Sequence, residues 1–115
     1  MTRRAWQKLA AWAVVVLSLA VLGVGFAVRS RTPTSYTVTI DAARFQPPLS
    51  VVRVGDVITW VNKDLVPHTA TSRTGGFDSG AIEPGKSWTY TATRTGDFPY
   101  LCVFHPTMTG LLRVK

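Results

Sequence analysis

The chain has 115 residues, with 13 Lys and Arg against 6 Asp and Glu, one cysteine and two histidines, for a formal net charge of +7. Five of the thirteen basic residues and none of the acids lie in the first 31, so residues 32–115 hold eight basic against six acidic side chains, too even a balance to attract nucleic acid. One cysteine excludes a disulfide-stapled fold, and the length leaves room for a single domain behind a terminal segment.

An uncharged, mostly apolar stretch of 19 residues runs over positions 10–28, between Arg3, Arg4, Lys8 and Arg29, Arg31. As a helix it reaches roughly 28 Å, enough to cross a bilayer. The apolar part of a signal peptide is shorter, about 7–15 residues, which favours a retained transmembrane anchor. Gly25, Phe26 and Ala27 place small residues where a signal peptidase cuts, so a cleaved signal peptide is the alternative. Thr2 to Lys8 resembles a twin-arginine export signal, although any basic start before an apolar helix contains something similar. Residues 1–31 are therefore read as a signal peptide or N-terminal anchor. Either route puts residues 32–115 outside the cytoplasm, in a periplasm or on the outer face of the membrane, tethered there if residues 10–28 stay.

Beyond the polar stretch 30–35, the sequence reads as short strands. Residues 36–40 alternate, residues 56–62 are rich in β-branched and aromatic side chains, and residues 86–92 alternate again. Turn signals separate them at Pro47-Pro48, Gly55-Asp56, Gly75-Gly76, Pro84-Gly85 and Gly96-Asp97. No amphipathic helix follows residue 31, so the expected domain is an all-β sandwich or barrel. Trp60, Trp88, Phe45, Phe98 and Tyr90 supply its large core side chains.

The last strand-like run carries the chemistry. Cys102, His105 and Met108 stand three residues apart, and His68 is the other histidine of the chain. Soft thiolate and thioether sulfur favour copper, and one Cys and two His with a distant Met is the arrangement of electron-transfer copper sites. An unpaired cysteine in an exported domain also needs an explanation, and metal ligation provides one. The sequence suggests a strand over 98–104, then a tight loop that Pro106 stiffens and Gly110 closes.

These residues carry a family resemblance. Phe45-x-Pro47, Gly55-Asp56, Thr59-Trp60-x-Asn62-x-Asp64, Pro67-His68-Thr69 and Tyr100-x-Cys102-x-x-His105-Pro106-x-Met108 resemble the cupredoxins, in particular the plastocyanin and amicyanin group. The resemblance covers nearly all of residues 36–115. It implies an eight-stranded Greek-key β-sandwich, here preceded by an N-terminal hydrophobic helix. It also implies one type 1 copper ion, alternating between Cu(II) and Cu(I), with His68, Cys102 and His105 as equatorial ligands and Met108 as the axial one. In such proteins the earlier histidine is braced internally and the later one reaches the surface. His105 would then be the electron's exit toward a redox protein, with Leu49, Val66 and Pro67 on the rim. One departure follows His68: the group usually has an Asn that braces the cysteine loop, and this chain has Thr69, whose hydroxyl can make a similar bond with a shifted potential.

The implied function is a monomeric single-electron carrier with protein redox partners and no small-molecule substrate. Enzymes built on similar domains connect a second copper through histidines flanking the cysteine, whereas Cys102 lies between Leu101 and Val103. A copper-delivery protein would use exposed Met, His or Cys clusters, and Met1 and Met108 are the only methionines, although the same ligands could serve delivery. Zinc accepts Cys and His but gains little from a thioether.

Overall fold

The computed structural model describes residues 23–115. The expected signal or anchor over 1–31 falls mostly outside these residues. Residues 23–34 carry no regular structure, and among the described residues no helix is long and apolar enough to cross a membrane.

Arg31 to Lys115 form one compact unit of eight strands: β1 (Ser35–Asp41), β2 (Arg44–Gln46), β3 (Leu49–Val52), β4 (Val57–Asn62), β5 (Thr71–Ser72), β6 (Ser87–Thr91), β7 (Gly96–Cys102) and β8 (His105–Val114). They build two four-stranded sheets, ordered β2-β1-β4-β6 and β3-β8-β7-β5. The chain passes from one sheet to the other at every step from β2 to β7, as in sandwiches with Greek-key connections. β1 runs parallel to β4 and β3 parallel to β8, while the other pairs are antiparallel.

Alternation decides which face each strand buries. On β4, Ile58, Trp60 and Asn62 point inward, and on β7, Phe98, Tyr100 and Cys102 do the same. Cys102 thus lies on the core face because it continues a period-two row of large apolar side chains. Trp60 sits at the middle of the core, with ring centroids 5.5 Å from Phe77, 5.5 Å from Trp88 and 5.6 Å from Tyr100. Trp60, Phe45 and Phe98 are buried as the sequence suggested, while Trp88 and Tyr90 are only partly buried against that core. Phe77 and Tyr100 complete it and were not foreseen.

The segment after Cys102 differs from the sequence reading. β7 stops at Cys102 rather than running to Phe104, Val103 and Phe104 form the turn, and β8 begins at His105. Leu101 pairs with Thr109 but Cys102 pairs with His105, so Pro106, Thr107 and Met108 are extra residues on the β8 side of an irregular hairpin. Such bulges re-aim side chains that a regular ladder would fix, and Met108 is buried here. Gly110 does not close a loop. It lies within β8 opposite Tyr100, where a Cβ would overlap the tyrosine ring.

Candidate metal centre

Three donors converge from two parts of the chain. Cys102 Sγ lies 3.7 Å from His68 Nδ1 and 3.8 Å from His105 Nδ1, and the two imidazole rings are 5.1 Å apart. All three donor atoms lie within 4.8 Å of one another, with His68 and Cys102 buried and His105 exposed. Met108 follows on the same bulged strand.

These separations suit donors to a single ion. With metal–sulfur and metal–nitrogen bonds of about 2.3 and 2.0 Å, an S–metal–N angle near 120° puts sulfur and nitrogen about 3.7 Å apart, and a tetrahedral angle brings them to about 3.5 Å. Separations of 3.7 and 3.8 Å let one ion reach the sulfur and both nitrogens, and a Cys and two His with a weak, distant Met is the donor set of blue-copper sites. The donor set therefore fits copper.

His68 is held without belonging to any of the eight strands. Its amide donates to Ile82 O at 3.2 Å and its carbonyl accepts from Ile82 N at 2.7 Å, a single bridge between β4 and β5. Its Nε2 lies 2.7 Å from Asp64 Oδ2. That carboxylate also accepts the Ala42 amide at 2.8 Å and the Ala43 amide at 2.9 Å. The Ala43 amide, with the His68 contact and the Ala42 amide, holds the Asp64 carboxyl below its ordinary 3.8, against the opposing effect of burial. An ionised carboxylate only accepts, so Nε2 carries the ring proton and Nδ1 presents its lone pair toward Cys102. Asn62 fixes the same loop, donating to Val66 O and Ile82 O at 2.8 and 2.9 Å and accepting the Asp64 amide at 2.9 Å.

Thr69 makes two connections to the cysteine. Its amide donates to Cys102 Sγ at 3.3 Å, and its hydroxyl accepts the Val103 amide at 2.9 Å. The bond expected of this threonine, a brace on the cysteine turn, is present. Asp64, which the sequence offers only as part of the family pattern and without a role of its own, is the brace for His68.

Apolar side chains are exposed on both loops that carry the donors. Val103 and Phe104, just before His105, are 50% and 52% exposed, Leu65 is 93% exposed on the loop before His68, and Val66 is exposed beside Leu65. Leu49 is exposed on β3 and Pro67 is half-buried.

The sequence matches no family model. Among characterised proteins it is similar to amicyanin of Paracoccus denitrificans, 27% identical over 95 residues that cover 78% of this chain and 72% of that protein. Amicyanin-alpha of Methylorubrum extorquens is 24% identical over 94 residues, covering 77% and 79%. A solved amicyanin variant with Cu(I) superposes with a TM-score of 0.67 at 26% identity, over 70% of this chain and 82% of that one. A copper-containing nitrite reductase from Thermus scotoductus superposes at 0.65 with 25% identity, but over 23% of its own length. The fold and the Cys-His-His cluster are those of a cupredoxin. Among the cupredoxins, the sequence similarity is to amicyanins. The chain is an amicyanin-like cupredoxin, and the cofactor of such proteins is one type 1 copper ion.

Proposed function

We propose that this protein carries single electrons between redox proteins, with His68 Nδ1, Cys102 Sγ, His105 Nδ1 and Met108 as the groups that would hold one copper ion. The observation that carries the reading is the placement of Cys102 Sγ 3.7 and 3.8 Å from two imidazole nitrogens. Copper, when bound, supplies the one-electron Cu(II)/Cu(I) couple.

The chain's own residues hold the site still and connect it to the outside. Asp64 fixes the tautomer and the ring plane of His68. The Thr69 amide orients the sulfur, and the bond from the Val103 amide to the Thr69 hydroxyl ties the cysteine turn to the His68 segment. Ligands fixed on two packed sheets move little between oxidation states, which speeds transfer. Buried His68 and Cys102 exclude water, whereas exposed His105 gives the electron a short path to a docked partner. Val103, Phe104, Leu65 and Val66 offer apolar surface next to the site loops, suited to the small, short-lived contacts of redox pairs.

An enzymatic role has less support. Both histidines already face Cys102, and the nitrite reductase resembles this chain over only 23% of its length. Copper delivery without electron transfer would use the same ligands, and no separate observation favours it. The basic and apolar residues 1–31 support export, with residues 10–28 as a membrane tether and a monomer working near membrane-bound partners.

The test is to add one equivalent of Cu(II) to the purified full chain. Intense blue colour, one copper per chain and a Cys102 that no longer reacts with thiol reagents are expected, with all three lost in Cys102→Ala. A colourless protein with a freely labelled thiol overturns the proposal.

A further inference from the structure

A line of hydrogen bonds leads from the cysteine turn to a surface carboxylate. The Val103 amide donates to Thr69 Oγ1 at 2.9 Å, Thr69 Oγ1 lies 2.9 Å from Thr71 Oγ1, and Thr71 Oγ1 lies 3.1 Å from Asp78 Oδ1. Elementary donor chemistry fixes the direction of every link. An amide nitrogen only donates and an ionised carboxylate only accepts, while each hydroxyl has one proton to give. Thr71 therefore donates to Asp78, Thr69 donates to Thr71, and the Thr69 oxygen is left to accept from Val103.

The far end of this line is anchored. Asp78 Oδ1 also accepts the Gly80 amide at 2.9 Å, Ser79 Oγ accepts the Ala70 amide at 2.7 Å, and the Ser79 amide donates to Ala70 O at 3.1 Å. Residues 77–82 thus run along the segment that holds His68, Thr69 and Ala70, with further backbone bonds from Ser72 to Phe77 and between His68 and Ile82. Chains of hydrogen bonds that end on a charge polarise one another, so each link is stronger than it would be alone.

We infer that Thr71 and Asp78 are positioning residues for the metal centre, acting through the Thr69 hydroxyl to fix the Val103 amide and with it the backbone between Cys102 and His105. The consequence for copper rests on the function proposed above, but the relay itself does not. Thr69 on its own could rotate its hydroxyl away from Val103. The acceptors beyond it keep the proton on the Thr71 side and leave the lone pair facing the turn.

The test follows amide hydrogen exchange in the metal-free full chain by NMR. Thr71→Val keeps the shape and the charge but breaks the middle link, and Val103 should then exchange about five- to tenfold faster, the factor that one lost hydrogen bond carries. Trp60, in the core strand β4, should keep its rate, and Thr71→Ser should restore Val103. Asp78→Ala, at an exposed position, should speed Val103 in the same way and serves if Thr71→Val does not fold. With copper bound, the reduction potential should move in Thr71→Val and return in Thr71→Ser. An unchanged Val103 rate in both variants, or a rise shared equally by Trp60, overturns the relay. That result would leave a blue protein intact, whereas a protein that never binds copper would leave the exchange result standing.

Discussion

Asp64 and His68 are joined by a 2.7 Å contact between Oδ2 and Nε2, and the same carboxylate gathers the amides of Ala42 and Ala43 from the turn between β1 and β2. The orientation of a buried imidazole is thereby set by a turn in a different part of the sandwich. Asp64→Asn removes the charge and presents an amide that can turn either its oxygen or its nitrogen toward His68. Copper affinity should fall about 10- to 100-fold, as is usual when a partner of a ligating histidine is lost. Competition titration against a copper chelator measures it, and an unchanged affinity would show that the carboxylate does not orient the ring.

The same carboxylate, with Asp56, predicts a pH dependence. Asp56 is buried at the turn before β4, where the Thr34 amide above all, then the Arg53 amide and Arg31, hold it below 3.8 against burial. Both groups have folded values lower than their unfolded ones. Their contribution is therefore complete above about pH 4 and is lost as pH falls through the lower folded values. Urea unfolding of the metal-free protein should give a midpoint that declines below about pH 4. Asp64→Asn should reduce that slope, and a midpoint that rises on acidification would contradict the account.

Much of this centre was legible because its donors are rare residue types at fixed spacing. Cys102, His105 and Met108 announce themselves, and a second histidine leaves no choice but His68. The core strands β1, β4 and β6 show in alternation or in β-branched and aromatic runs. β2, β3 and β5 are two to four residues long and too short for a period to register. Asp64 was hidden because its role depends on amides that only the folded turn delivers, and the bulge at residues 106–108 because register between β7 and β8 is a tertiary property. Phe77 lies between turn residues, where nothing in the local pattern indicates burial.

The turn that feeds Asp64 is strained. Ala42 and Ala43 have φ of 49° and 52°, in the left-handed region that L-residues enter at a cost of about 1–2 kcal/mol. Ala43→Gly relieves that cost and loses about 0.5–1 kcal/mol to the greater freedom of the unfolded chain. A net gain of about 0.5–1 kcal/mol in urea unfolding is expected, with the amide still available to Asp64. Destabilisation by the glycine would indicate that the alanine methyl packs usefully.

Gly110 is required for a different reason, close approach rather than backbone conformation. It faces Tyr100 across β7 and β8, and a Cβ there would overlap the ring. The ring has nowhere to go, because Tyr100 is fully buried with Phe45 at 4.6 Å, Trp60 at 5.6 Å and Phe77 at 5.7 Å between centroids. Gly110→Ala must therefore push the two strands apart or displace the tyrosine, and overpacking of this kind costs about 1–3 kcal/mol. Tyr100 is two residues before Cys102 on the same face of β7, so a displaced ring should also disturb the sulfur. The urea midpoint should drop and the visible spectrum of the copper-loaded protein should change together. A lower midpoint with an unaltered spectrum would mean that the strain is absorbed at β8 alone, and an unchanged midpoint would contradict the close contact itself.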